Sequence, residues 1–274
     1  MFFLPFRDDN PHNTTPLVTW CLIALCVAAF LWQQTLDVQT ARVAILAYGI
    51  IPADLFGLAE MNPIVSPLPA WMTIFTSMFL HGSWGHLFFN MLYLWIFGDN
   101  VEASMGRGRF LVFYLGCGVI AALTQSIAAP ASTIPMVGAS GAIAGVAGAY
   151  LILHPFANIK VFVWIILFFT VMNVPAWIIL GLWFLGQLLS QAASTAGQGG
   201  VAFLAHIGGF VAGAILIFKL RLPGVPVFGR PVSRAFARES RRIAPRATAH
   251  RRGGSVPSSG PGSSSGKRPK GPWG

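Results

Sequence analysis

The stretch Gly138-Ala139-Ser140-Gly141-Ala142-Ile143-Ala144-Gly145-Val146-Ala147-Gly148-Ala149-Tyr150-Leu151-Ile152-Leu153 decides how this chain is read. From Ser140 onward it is an uncharged run of small and apolar side chains. As a helix it measures about 21 Å, short of a hydrocarbon core of about 30 Å, so the loop before Ser140 is expected to dip inward. Further along, His206-Ile207-Gly208-Gly209-Phe210-Val211-Ala212-Gly213 has the same character. Gly141, Gly145 and Gly148 on one run, and Gly209 and Gly213 on the other, form faces of small residues that let two helix backbones approach closely. Each face begins within one turn of a polar side chain that lipid tolerates only with a partner or a function. A close crossing therefore brings the Ser140 hydroxyl within reach of the His206 imidazole, the nucleophile and base of a hydrolytic site.

Composition places both runs in a membrane. The 274 residues are 55% hydrophobic and only 9% charged, with positive mean hydropathy, whereas soluble domains carry about 25% charged residues. The formal net charge is nevertheless +10. From Lys219 to the end there are 13 Lys and Arg against Glu239 alone, while residues 1–218 hold 5 basic and 7 acidic residues. The cations thus gather in a Pro/Gly/Ser/Arg tail rather than on a folded face, which argues against nucleic-acid binding and for attraction to anionic lipid. Cys21, Cys26 and Cys117 all fall in apolar runs and read as small core residues.

Six apolar runs are long enough to matter: 16–33, 83–98, 110–129, 140–153, 173–191 and 201–220. The first has an acidic flank in Asp8 and Asp9 and no small-x-small cleavage pattern after it, so it reads as a retained span. Residues 161–172 are too short to cross and are separated from the next run by Pro175. They are expected to be an interfacial or re-entrant piece. Six spans put the basic tail on the same side as Arg107, Arg109 and Lys160, in line with the cytoplasmic preference of Lys and Arg. The expected organisation is a cytoplasmic N-terminal segment (1–15), a six-span helical domain (16–220) with an outer loop at 34–70, and a basic disordered cytoplasmic tail (221–274). An inner loop is expected at 98–109 and outer loops at 130–139 and 192–200.

Within these spans the polar residues with chemical potential are His86 and Asn90 in the second, Ser140 opening the fourth and His206 near the start of the sixth, with His81 just before the second. His86 and Asn90 lie four apart and share a helix face. By rise per residue Asn90 and His206 sit about 10 Å and about 7 to 8 Å below the outer end of their spans, close to the depth of Ser140. The Ser140 amide at a helix N-terminus, the Asn90 amide and the His86 ring are candidate donors to an oxyanion. Taken singly, each has a plainer reading: a back-bonded serine, glycine faces that only pack, His86 and Asn90 as interhelical glue, His81 as a loop anchor. Asp99 and Glu102 read as structural, paired with Arg107, Arg109 or backbone donors.

Together these residues resemble the rhomboid intramembrane serine proteases in their six-span bacterial form. The resemblance rests on His81-x-x-x-x-His86-x-x-x-Asn90, on Gly138-Ala139-Ser140-Gly141, and on His206-x-x-Gly209-x-x-x-Gly213, supported by Phe97-Gly98-Asp99-Asn100-Val101-Glu102 and Gly106-x-Gly-Arg109-Phe110. It covers about residues 45–220. It implies an all-α polytopic bundle in which Ser140 is the nucleophile and His206 the general base and acid, a dyad without a carboxylate. Asn90, His86 and the Ser140 amide would hold the oxyanion, Gly138 would belong to the bent loop before the serine, and His81, Glu102, Gly141, Gly209 and Gly213 would be structural. Substrates would be single transmembrane helices cut near the outer interface without metal or cofactor, with about 173–200 as gate and cap. The implied location is a bacterial inner membrane, with both termini cytoplasmic and the site open to the other side.

Two positions depart from the family pattern. Trp71 is followed by Met72 and Thr73 rather than Arg, and Ala144 stands where some members place an aromatic that stacks on the catalytic imidazole, which leaves His206 without an assigned support. Rival readings are a metal site using His81, His86 and His206, which lacks HExxH and nearby carboxylates, and a transporter, for which no charged pathway is present. An inactive rhomboid-like chaperone is the alternative closest to the protease reading.

Overall fold

The computed structural model describes residues 2–10, 14–59, 65–165, 168–193 and 202–229. The expected loop 192–200 lies almost wholly outside these residues, as does most of the tail.

Nine α-helices are described: α1 (Leu17–Thr35), α2 (Val38–Tyr48), α3 (Pro52–Leu55), α4 (Ala70–Thr76), α5 (Trp84–Met105), α6 (Arg107–Ala128), α7 (Ser140–Leu153), α8 (Ala176–Ala193) and α9 (Phe203–Leu220). A 3-10 turn, Ser77–Phe79, follows α4, and three strands complete the set: β1 (Phe2–Asp8), β2 (Asn158–Ile165) and β3 (Phe168–Pro175). Six of the helices, α1 and α5 to α9, correspond to the six apolar runs. Four of them, α1, α6, α8 and α9, are long and apolar enough to cross a membrane by themselves. Leu25, Trp95, Val112, Ile127, Leu182 and Ile215 point outward and are exposed, as expected where lipid rather than water is the solvent. Inside, Leu94, Phe97, Phe110, Phe113, Tyr114 and Tyr150 are fully buried. The chain is a helical membrane bundle, as expected, with a small sheet at one end.

Most of the bundle is built on α7. It packs along α9, and α5 and α6 flank it. The glycine faces explain the closeness: a Cβ on Gly209 would land on the Gly141 carbonyl oxygen, and one on Gly213 on the carbonyl oxygen of Gly145. Backbone against backbone is possible here only without side chains.

Three expectations change in the structure. Residues 98–105 continue α5 instead of opening an inner loop, and the chain turns at Gly106, whose φ of +78° suits glycine. The longer helix carries Glu102 inside the protein, where its carboxylate accepts from the Val18 amide (3.1 Å) and from the Thr19 amide and hydroxyl (both 2.8 Å). Of the partners expected for Glu102, the backbone donors are the ones it finds. Pro16 offers α1 no side-chain cap, so a residue from another helix satisfies its first-turn N–H groups.

Residues 161–165 and 168–172 lie in two antiparallel strands. β2 pairs antiparallel with β3 (Val161 opposite Met172) and, on its other edge, with β1 (Leu4 opposite Phe162). Phe2–Asp8 of the N-terminal segment is therefore a strand of the fold. β-Branched and aromatic residues favour this state, and Ile159, Val161 and Val163 alternate inward. Asp8 fastens β1 to the bundle by accepting from Tyr150 Oη (2.7 Å) and Asn100 Nδ2 (2.8 Å).

The tail, expected to be disordered from 221, starts with ordered backbone. Leu222 N–H donates to Ser104 O, and Phe228 and Gly229 N–H donate to Ile152 and Leu153 O. These carbonyls lie at helix C-termini, where no intrahelical donor remains.

Candidate active site

Three helices, α5, α7 and α9, start at one end of the bundle and bring their first turns around a cavity of about 660 Å³. Its lining includes His86, Asn90, Ser140, Ala144, Trp183 and His206. α7 is the shortest of the bundle helices, 14 residues against 18 to 22 in the others, and it opens on Ser140.

The loop before Ser140 is strapped from outside. Ile50 and Met136 exchange backbone hydrogen bonds (3.0 and 2.8 Å), and Gly138 N–H donates to Ser77 O (2.8 Å). Gly138 has φ +127°, and a Cβ there would stand 2.7 Å from the His86 ring. Only glycine suits both the backbone and the space.

At the centre, Ser140 Oγ lies 2.8 Å from His206 Nε2. The other ring nitrogen, Nδ1, lies 2.7 Å from Gln187 Oε1 on α8. Trp183, one turn earlier on the same face of α8, tilts against the His206 ring with centroids 5.9 Å apart. The support that Ala144 cannot provide thus comes from α8. Gln187 was not among the sequence-derived candidates, although a polar side chain four residues after Trp183, midway along a largely apolar span, was the available signal.

Ser83 caps α5 by accepting from His86 N–H (3.1 Å). One turn on, Asn90 is buried, and its Nδ2 has no hydrogen-bond partner among the described residues. A donor in that state costs stability unless a ligand takes its hydrogen bond. His81 stands behind His86, with ring centroids 5.1 Å apart, and is absent from the cavity lining. Its backbone is gripped by Gln33, which accepts from His81 N–H (3.0 Å) and donates to His81 O (3.2 Å). Its Nδ1 faces Phe79 O at 3.3 Å. Burial, reinforced by His86, pushes the His81 pKa down to about 4 against that hydrogen bond. Among the described residues, no group of three His, Cys, Asp or Glu side chains is placed to hold a metal ion.

The family model for the Rhomboid domain matches residues 69–223. The chain belongs to the rhomboid family. Among curated rhomboid relatives it is 31% identical over 219 residues to the rhomboid protease GluP of Bacillus subtilis, covering 80% of this chain and 38% of that protein. It is 29% identical over 192 residues to the chloroplastic rhomboid-like protein 11 of Arabidopsis thaliana, with 65% and 64% coverage. The rhomboid protease GlpG of Klebsiella pneumoniae is 29% identical over 121 residues, with 44% and 38% coverage. The matched part spans between about two-fifths and two-thirds of the length of these relatives.

Proposed function

We propose that this rhomboid is an intramembrane serine endopeptidase that cuts single-span membrane proteins near the outer interface. The 2.8 Å contact between Ser140 Oγ and His206 Nε2, inside a cavity at the end of an apolar bundle, carries this reading. The names of GluP and GlpG, both rhomboid proteases, support it.

The chemistry follows from the geometry. Ser140 Oγ attacks the scissile carbonyl carbon as its proton passes to His206 Nε2. The carbonyl oxygen becomes an oxyanion, for which Asn90 Nδ2, the His86 ring and the Ser140 amide are the donors. Collapse expels the amine, which takes the proton from His206 and leaves an acyl group on Ser140. Water, deprotonated by the same imidazole, then releases the new carboxylate. No step needs a metal or cofactor. Six spans and the basic tail support a topology with both termini in the cytoplasm and the cavity open to the opposite side.

The deciding experiment incubates purified protein in liposomes with a labelled single-span substrate, beside Ser140→Ala and His206→Ala. Both variants are expected to lose cleavage, and a fluorophosphonate is expected to label folded wild-type protein at Ser140. Equal cleavage by Ser140→Ala would overturn the mechanism. A wild type that binds the substrate without cutting or labelling would favour the chaperone reading.

A further inference from the structure

We infer that Gln187 is the positioning residue of the catalytic base, making the site a Ser140–His206–Gln187 chain rather than a dyad. The inference rests on the protease reading above.

A carbonyl oxygen can only accept a hydrogen bond. With Gln187 Oε1 2.7 Å from His206 Nδ1, the proton of the neutral ring belongs on Nδ1. The lone pair is then on Nε2, the nitrogen that faces Ser140 Oγ at 2.8 Å. Gln187 thereby selects the tautomer that can receive the serine proton. The same bond persists when Nε2 becomes protonated, so the ring holds its orientation through the proton transfer.

Trp183 completes the grip. Its ring lies against the imidazole and also against Phe210 on α9, with centroids 6.0 Å apart, so the ring face is held by the same element that holds Nδ1. Trp183 and Gln187 are four residues apart and share a face of α8. Ala144 offers the imidazole no aromatic face from α7. A carboxylate in this position would place an ionised group among apolar helices at a high desolvation cost, which a neutral amide avoids while still orienting the base.

The test uses the full-length protein in liposomes with the single-span substrate, comparing wild type, Gln187→Leu, Gln187→Glu and Ser140→Ala. Gln187→Leu keeps the bulk but removes the acceptor. It is expected to lower kcat about 10- to 100-fold, the scale typical of groups that orient another functional side chain, with KM within about twofold and slower fluorophosphonate labelling. Gln187→Glu restores an acceptor and is expected to recover most of kcat. A carboxylate opposite the imidazole favours its protonated form, so the acidic limb of the kcat profile should move to higher pH. Among the described residues, His86 and Tyr93 on α5 are the other titratable side chains lining the cavity, and neither variant changes them.

Thermal unfolding of each variant separates lost orientation from lost fold, and if Gln187→Leu does not fold, Gln187→Glu carries the test. Wild-type kcat and pH profile in Gln187→Leu would overturn the inference, as would Gln187→Glu with an unmoved acidic limb. Cleavage by Ser140→Ala would instead bring down the protease reading itself.

Discussion

Glu102 and Thr19 lie 83 residues apart in the chain, and the carboxylate of the first holds both the amide and the hydroxyl of the second at 2.8 Å. The contact joins the far end of α5 to the first turn of α1. Removing the carboxylate leaves buried donors without acceptors. Glu102→Ala is expected to cost about 2 to 4 kcal/mol, and Glu102→Gln, which keeps one acceptor oxygen, clearly less. Detergent-induced unfolding measures both, and an unchanged midpoint for the alanine variant would remove Glu102 from the account of stability.

Asn90 should show the opposite balance. Its Nδ2 is buried and unpaired among the described residues, so Asn90→Ala gives up a costly group. If that amide serves the oxyanion, kcat should fall about 100- to 1,000-fold while the thermal midpoint holds or rises. A variant that loses stability and activity together would mark Asn90 as a packing residue instead.

The α7–α9 crossing makes a third expectation. Gly209→Val would drive a side chain into the Gly141 carbonyl, spreading the helices and breaking the Ser140–His206 contact. Cleavage and fluorophosphonate labelling should both vanish. Gly116→Ala is the control: nothing lies within 4 Å of the added Cβ, and a helical alanine is better than glycine by up to about 1 kcal/mol. Equal activity in the wild type and Gly209→Val would contradict the close-crossing account.

Acid should loosen the cavity end of the bundle through His81. Its folded pKa is depressed to about 4 by burial and by His86, against about 6.5 in the unfolded chain. Between these values the unfolded chain binds more protons, so the stability contributed by the neutral ring is complete above pH 6.5. It is lost as pH falls toward 4, on the order of 2 to 3 kcal/mol. Unfolding midpoints across that window test it, with His81→Asn expected to flatten the curve.

The contact of Ser140 with His206 was legible because lipid makes polar groups rare and because the glycine spacing specifies which helices touch. His86 and Asn90 followed from four-residue spacing on one face. Gln187 was not legible, since an amide in a largely apolar run, with Gln191 one turn on, does not announce its partner, and α8 carries no small-residue face to say what it meets. The pairing of β2 with β3 was hidden for another reason. A continuous run such as Val161–Ile165 has no periodicity to separate strand from buried helix. The extension of α5 past Gly98 was obscured by Asp99, Asn100 and Glu102, which look like loop residues until Asp8 and Thr19 are seen opposite them.

β1 carries a consequence for the order of assembly. Its partner β2 is reached some 150 residues later, after four of the six bundle helices have been made. During synthesis β1 therefore waits for its partner until the strands after α7 emerge, and a connection of such long range closes late. Asp8, Asn100 and Tyr150 then meet at one point and fasten the two ends of that stretch. A substitution that weakens the β1–β2 pairing would burden this last closure more than any insertion step that precedes it.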